Sequence, residues 1–422
     1  MSFNLKEKSP LIIYGIINLI AIVCVNFISD LPVRVGNWES KATLLAAFQK
    51  PEDNFYPPGG AILLIPFLSF KPDFKIAIFF YFTISAIIYY MICSRLISNR
   101  LFFYLALSAL TFNPYLLWVI NSSPDSVFEL FLLLSGFALL LSRKYFMACL
   151  PLYLLCLTRP QYWPSFLILP IIAKYLKLKF SNVSDVSNKF IVTPFVLLLL
   201  TLSLNQIVFK SPAIAGEAGM TAHFGHNKYW YLSMPKFDSD VFLSTGGNMN
   251  TPKVLSRSDK FSQIKDDEFR AALINIYENP KSLFLNTLQK VDSYFFAVQK
   301  NPQLSGQYFL STDKKSIILG PNRDSWALIF GSWLYFFHRS ILLIFAIASL
   351  TLIVVFATIR REVLAQPIIL FCLPYVFGSV AAILYSTETR LKIVSELLLV
   401  PFIVYIFDLF KFKRKEGKLF YQ

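Results

Sequence analysis

The sequence contains few charged residues, few histidines and no pattern of paired cysteines. Only 15% of its 422 residues are charged, and it has three histidines and five cysteines, with no Cys-x-x-Cys spacing. His223 and His226 have the spacing of a metal-binding pair, but they lie in a loop-like segment with no further ligand close by. We therefore expect neither a disulfide framework nor a structural zinc centre, and we interpret the cysteines as small buried hydrophobic residues.

Two further patterns are missing. Gly246-Gly247 is not followed by a phosphate-loop pattern. No internal repeat stands out, so the sequence does not favour an inverted-repeat transporter. The first apolar run, residues 11–28, lacks a small-residue cleavage site, and we expect it to be an anchored helix.

Apolar residues dominate the chain. Hydrophobic residues make up 55% of it, and its mean hydropathy is +0.55. Runs of about 20 apolar residues recur, and a soluble domain could not bury this much apolar surface. Because backbone polar groups in hydrocarbon must be satisfied within their own segment, the runs predict transmembrane helices and an all-α polytopic membrane protein.

The apolar runs predict about ten transmembrane helices. Residues 145–158 and 163–176 are short for a bilayer core of ~30 Å, and residues 326–358 are too long for one helix. Residues 58–70 are apolar but short, and we interpret them as a re-entrant or interfacial helix. The predicted spans are residues 11–28, 76–94, 101–119, 125–142, 145–158, 163–176, 190–209, 326–358, 364–385 and 391–410.

Lysines and arginines in the short loops predict the orientation. Cytosolic loops carry an excess of these residues, which predicts that both termini lie in the cytosol of a plasma (inner) membrane. Lys71 and Lys75, in the first outer loop, depart from the rule. The net charge of +15 is then largely topological and does not indicate a nucleic-acid partner. The cytosolic cations include Lys6, Lys8, Arg95, Arg100, Arg143, Lys144, Lys174, Lys177, Lys179, Lys189, Arg360, Arg361 and those of residues 411–418.

The predicted spans divide the chain into three parts. Residues 1–209 form an N-terminal transmembrane module, whose first outer loop, residues 29–75, is the candidate catalytic segment. Residues 210–325 form an extracytoplasmic region, in which residues 266–299 predict one or two amphipathic helices on the bilayer or the membrane domain. Residues 326–422 form C-terminal transmembrane helices and a basic cytosolic tail.

Charged and polar residues gather at the predicted outer ends of the helices. Charges at the edges of apolar helices are costly unless they function or pair with one another. A carboxylate can act as a general base or bind a metal ion, and the donor fork of arginine suits a phosphate. Alternatively, these side chains only extend into the lipid headgroups. The candidates are Asp30, Glu39 and Tyr56 in the first outer loop, Asp125, Arg159 and Gln161 further on, and Glu388, Arg390 and Lys392 in the last outer turn.

In the first outer loop, Glu39 precedes the pair Ala46-Ala47, and Tyr56-Pro57-Pro58 then leads into an apolar helix. This order resembles the GT-C glycosyltransferases that use polyprenyl-phosphate sugars, and it is most similar to their bacterial mannosyl- and arabinosyltransferase-like members. Trp38 stands where many members of that family have an aspartate. Asp30 is therefore an alternative to Glu39 as the acidic residue.

The rest of the chain resembles the same family in the same order. Asn113-Pro114 followed by Asp125 is similar to the family's second acidic position, and Arg159 is similar to its basic residue between two short helices. Tyr277-Glu278-Asn279-Pro280 resembles an Asn-Pro of its outer helices. Glu388-Thr389-Arg390 resembles its closing acid-x-Arg motif.

The resemblance implies a GT-C fold and a polyprenyl-phosphate sugar as donor. The sugar would pass to a lipid-linked, polysaccharide or protein acceptor on the outer face, with membrane lipids as further partners. No cofactor is required, although a divalent cation, magnesium or manganese, is compatible with the acids. The implied roles are base for Glu39 or Asp30, acceptor or cation support for Asp125, phosphate ligand for Arg159, Arg390 and Lys392, and support for Tyr56, Gln161 and Glu388.

Three alternatives remain open. A polysaccharide polymerase or ligase would also use outer-face arginines, but it would not need an acid followed by Tyr-Pro-Pro. A transporter or flippase of lipid-linked saccharides predicts polar residues inside the spans, for which Glu129 is the main candidate. An inactive relative that acts as a subunit is the third alternative.

Overall fold

The computed structural model describes the helical modules of the N-terminal half and parts of the C-terminal third. Predicted span 326–358 and most of the region 210–325 lie outside the described residues. The described residues are 5–29, 38–51, 58–70, 74–113, 116–117, 120, 124–142, 144–179, 188–210, 214, single positions between 273 and 288, 308–310, 317–319, 373–384 and 390–415.

Helices account for nearly all of the described residues. In chain order they are α1 (Leu5–Ser29), α2 (Trp38–Ala46), α3 (Gly59–Leu64), α4 (Lys75–Leu96), α5 (Arg100–Thr111), α6 (Pro124–Leu141), α7 (Tyr145–Thr158), α8 (Trp163–Lys179), α9 (Asn188–Phe209), α10 (Leu373–Leu384) and α11 (Arg390–Lys415). Two 3-10 helices, Ile65–Phe70 and Pro160–Tyr162, follow α3 and α7. Two short strands, β1 (Tyr308–Leu310) and β2 (Ile317–Leu319), pair antiparallel, with Tyr308 opposite Leu319.

The described residues are almost entirely helical, and three of their helices are candidate membrane spans. Within the described residues, Ser9–Phe27, Lys75–Leu96 and Asn188–Phe209 are long and apolar enough to cross a bilayer. These segments match three of the predicted spans. The first and third leave large apolar side chains exposed, among them Ile20 and Leu199, as helices that face lipid do.

A layer of three packed helices forms the centre of the described fold. α6 packs between α4 and α7, α1 and α5 lie against α4, and α11 crosses α4, α5 and α6. α9 packs on α7 and α8, and α10 packs on α8 and α11. Phe82, Phe128 and Phe137 are fully buried in this core. These rings are buried because one helix packs directly on the next. Between helices in lipid, van der Waals packing stabilises such contacts, because lipid tails are as apolar as the side chains.

Predicted span 101–119 is interrupted in the structure. α5 ends at Thr111, and the Asn113 side-chain oxygen then accepts a hydrogen bond from the Leu116 backbone N–H at 3.0 Å. Pro114 disfavours the helical conformation at the residue before it, and Asn113 provides an N-cap for a new helical segment. The apolar run therefore contains two helical pieces, which its hydropathy did not reveal.

Two side-chain pairs mark one end of the helical layer. The Arg95 guanidinium donates to the Ser142 hydroxyl at 2.5 Å, joining the C-terminal ends of α4 and α6. The Lys174 ammonium donates to the Asn188 side-chain oxygen at 2.8 Å, joining the end of α8 to the start of α9. The predicted cytosolic cations Arg95 and Lys174 thus lie at the opposite ends of their helices from the candidate site described below.

Helices α2 and α3, which lie between α1 and α4 in the chain, pack on the other end of α6 and α7. A Cβ atom on Gly59 would lie 2.7 Å from the Leu154 carbonyl oxygen and 2.5 Å from the Thr158 hydroxyl oxygen, so α3 meets the end of α7 at van der Waals contact. A Cβ atom on Gly60 would lie 2.5 Å from the Trp38 ring. Only glycine permits such close approach of backbone to its neighbours.

Candidate functional site

An arginine between two carboxylates forms the centre of the candidate site. The Arg159 Nη2 atom makes an ion pair with Asp125 Oδ2, and its Nε atom donates to Glu129 Oε2 at 3.1 Å. The Tyr162 hydroxyl donates to the other carboxylate oxygen, Glu129 Oε1, at 2.5 Å. We call these four side chains the Arg159 cluster.

Local sequence explains how these side chains meet. Asp125 and Glu129 are four residues apart in α6, so they lie one turn apart on the same face of that helix. Arg159 has an extended backbone (φ −136°, ψ 94°) because Pro160 disfavours the helical conformation at the preceding residue. α7 therefore ends at Thr158, and the turn Pro160–Tyr162 carries Tyr162 back towards α6.

Burial makes the Arg159 cluster a paired polar site inside apolar helices. The Glu129 side chain is 0% exposed, that of Arg159 is 12% exposed and that of Asp125 is 16% exposed. Charge-assisted hydrogen bonds of about 1.5–3 kcal/mol each offset the cost of burying these groups. Exposure increases from Glu129 to Asp125, so the cluster opens at its Asp125 side.

The segment that is predicted to be the first outer loop lies next to the Arg159 cluster. The Trp38 ring packs against the Phe128 ring with a centroid distance of 5.9 Å, and Phe128 directly precedes Glu129. Glu39, the predicted base, stands in the first turn of α2 beside Trp38 and is half-buried. Thr158, which directly precedes Arg159, contacts Gly59 of α3. Three sequence motifs far apart in the chain therefore meet at this end of α6 and α7.

The structure places the predicted site residues as follows. Asp125 and Arg159 are in direct contact, Glu39 lies on the neighbouring helix α2, and Gln161 is half-buried in the turn after Arg159. Asp30, Tyr56 and Glu388 lie outside the described residues, as do the side chains of Arg390 and Lys392. The backbone of Arg390 begins α11.

Two members of the Arg159 cluster, Glu129 and Tyr162, are not among the predicted site residues. Lys41 in α2 and Glu396 in α11 are also buried. The spacing of Glu129 four residues after Asp125 could have indicated the cluster. Lys41 and Glu396 carry no such signal beyond a charge next to apolar residues.

The described residues include no group of three or more histidine, cysteine, aspartate or glutamate side chains arranged to hold a metal ion. Both acids of the Arg159 cluster are engaged by the guanidinium. A magnesium or manganese requirement therefore stays a prediction, for which Asp125 is the most exposed carboxylate of the cluster. Of the cysteines in the described part, Cys93, Cys149 and Cys156 are buried and Cys24 is exposed, and none forms a disulfide.

Comparison with known proteins adds no further assignment. No protein-family model matches the chain, and no curated protein and no solved structure is similar to it.

Proposed function

We propose that this protein is a membrane glycosyltransferase of the GT-C type. It transfers a sugar from a polyprenyl-phosphate carrier to a lipid-linked, polysaccharide or protein acceptor at the outer face of the membrane. The observation that carries the proposal is the Arg159 cluster, which lies buried beside the first outer loop. An arginine with carboxylates nearby supplies both of the groups that glycosyl transfer from a phosphate requires.

The transfer is a single displacement. The Glu39 carboxylate, or that of Asp30, accepts the proton of the acceptor hydroxyl, and the acceptor oxygen forms a bond to the anomeric carbon. The bond from that carbon to the phosphate oxygen breaks on the opposite side, so the anomeric configuration inverts. Polyprenyl phosphate leaves, and Arg159 stabilises the negative charge on it, as the guanidinium fork does for phosphates.

The proposed architecture is a GT-C bundle of about ten spans, with residues 1–209 as the catalytic module. Both termini lie in the cytosol, and the Arg159 cluster faces outward. Arg95 and Lys174 support this orientation, because they lie at the ends of their helices away from the cluster. The positive-inside rule assigns those ends to the cytosol.

The first experiment measures the release of free polyprenyl phosphate. Purified protein in lipid is given a panel of polyprenyl-phosphate sugars, and wild type is compared with Glu39→Gln and Asp30→Asn. We expect release by wild type and a loss of about 100-fold or more in the variant that removes the base. Lys174→Gln, which changes a charged side chain at the far end of α8, is the control and should retain wild-type release.

The base assignment is wrong if Glu39→Gln and Asp30→Asn both retain full release. If no donor gives release, the result would favour a transporter or flippase over a glycosyltransferase. One observation favours that second candidate, namely the fully buried carboxylate of Glu129 inside α6. A flippase would move a fluorescent polyprenyl-phosphate lipid across proteoliposomes without releasing the phosphate, which distinguishes the two functions.

A further inference from the structure

The two carboxylates on Arg159 are held differently. Both oxygens of Glu129 are engaged, one by the Arg159 Nε atom and one by the Tyr162 hydroxyl, and the side chain is 0% exposed. Asp125 stands in the first turn of α6 at the more exposed edge of the cluster. Glu129 is therefore a fixed partner of Arg159, whereas Asp125 is the partner that a ligand from outside can reach.

The two carboxylates limit ligand binding at Arg159. The guanidinium pairs with Asp125 through Nη2 and with Glu129 through Nε, so a phosphate that takes either position replaces a carboxylate. Asp125 is the carboxylate that lies at the more exposed edge of the cluster.

We propose that Asp125 occupies a phosphate site on Arg159, and that a phosphate-bearing ligand enters by displacing the Asp125 carboxylate. Glu129 and Tyr162 are positioning residues, which keep the guanidinium in place while its second partner changes. The identity of the ligand as a polyprenyl phosphate rests on the proposed function, but the exchange itself does not. The displaced Asp125 carboxylate then becomes available for an acceptor hydroxyl or a cation.

The test compares two variants that remove the same charge one turn apart. Full-length wild type, Asp125→Asn and Glu129→Gln are titrated in detergent by calorimetry with farnesyl phosphate, with inorganic phosphate, and with farnesol as the uncharged control. We expect Asp125→Asn to bind farnesyl phosphate about tenfold or more tightly than wild type, because the internal competitor is gone. Glu129→Gln should show no gain, because Asp125 still occupies Arg159.

Further variants keep the test decisive. Tyr162→Phe replaces Glu129→Gln if the latter does not fold, and it should likewise show no gain. Arg159→Gln should lose phosphate binding, and Lys174→Gln, at the far end of α8, should bind like wild type. Equal gains in Asp125→Asn and Glu129→Gln would mean that only the total charge matters, and they would overturn the proposal. No gain in Asp125→Asn would overturn it as well.

The three ligands distinguish the exchange of Asp125 on Arg159 from the proposed glycosyltransferase activity. Tighter binding of farnesyl phosphate alone supports a lipid-linked ligand, and tighter binding of inorganic phosphate as well supports the phosphate group as the recognised part. Farnesol should bind wild type and Asp125→Asn equally, and a gain for farnesol would contradict the exchange. If Asp125→Asn gains affinity while no donor is turned over by wild type, the exchange stands and the glycosyltransferase proposal fails.

Discussion

At the scale of single residues, the Tyr162 hydroxyl is a donor to a fully buried carboxylate. Tyr162→Phe leaves Glu129 Oε1 without this hydrogen bond. We expect the free energy of unfolding to fall by about 1–3 kcal/mol, because an unsatisfied buried acceptor loses its solvation without compensation. The measurement is thermal unfolding in detergent.

Tyr153→Phe is the control for that prediction. The Tyr153 hydroxyl shares a hydrogen bond of 2.9 Å with the Thr201 hydroxyl, between α7 and α9. Both groups are neutral, and hydrogen bonds between membrane helices average only about 0.6 kcal/mol. Equal losses for Tyr162→Phe and Tyr153→Phe would contradict the larger cost expected for an unsatisfied acceptor on fully buried Glu129.

Part of the candidate site could be predicted from residue types and their positions. Asp125 and Arg159 each stand at the end of an apolar run, and the alternation of spans brings these ends to one face. Glu129 was noticed only as a polar residue inside a span, because its distance from Arg159 depends on how α6 packs on α7. Tyr162 gave no signal, since a tyrosine in an aromatic-rich chain is ordinary.

At the scale of helices, α3 depends on glycine to reach α7. A Cβ atom on Gly59 would meet backbone atoms of Leu154 and Leu157 at 2.7 and 2.6 Å, and backbone cannot rotate away. We expect Gly59→Ala to lower the free energy of unfolding by about 1–3 kcal/mol, as overpacking does. Thermal unfolding measures this, and the phosphate-release assay should show a parallel loss because α3 lies beside Thr158 and Arg159.

Gly378→Ala in α10 is the matched control. Among the described residues, a Cβ atom there would meet nothing within 4 Å. Alanine in a helix interior is favoured over glycine by about 0.5–1 kcal/mol, so this variant should be as stable as wild type or more stable. A Gly59→Ala variant that behaves like Gly378→Ala would mean that α3 does not pack on α7 as described.

Helix positions were more predictable than helix breaks. Predicted spans 125–142 and 145–158 differ by at most one residue from α6 and α7, because apolar length determines a span in lipid. The break after Thr111 was missed, since hydropathy continues across Phe112 and the local signal is only Asn113-Pro114. The packing of α2 and α3 on the cluster also could not be predicted, because it depends on contacts distant in sequence.

At the scale of the whole molecule, the proposed topology puts the candidate site and the basic helix ends on opposite sides of the membrane. Gln49, just after α2 in the predicted first outer loop, is exposed, and Asn188 is exposed at the end that carries Lys174. We expect a cysteine at position 49 to react with a membrane-impermeant maleimide in intact cells. A cysteine at position 188 should react only after the membrane is opened, because the positive-inside rule places that end in the cytosol.

The cysteines at positions 49 and 188 are introduced into a variant whose five native cysteines are replaced by alanine. This replacement removes reaction at exposed Cys24. This background protein without an added cysteine should remain unlabelled in intact and opened cells. The reverse pattern, with position 188 labelled from outside and position 49 protected, would place the Arg159 cluster in the cytosol. Donors made available at the outer face could not then reach it, so this one result would reject both the predicted orientation and an outer-face transfer reaction.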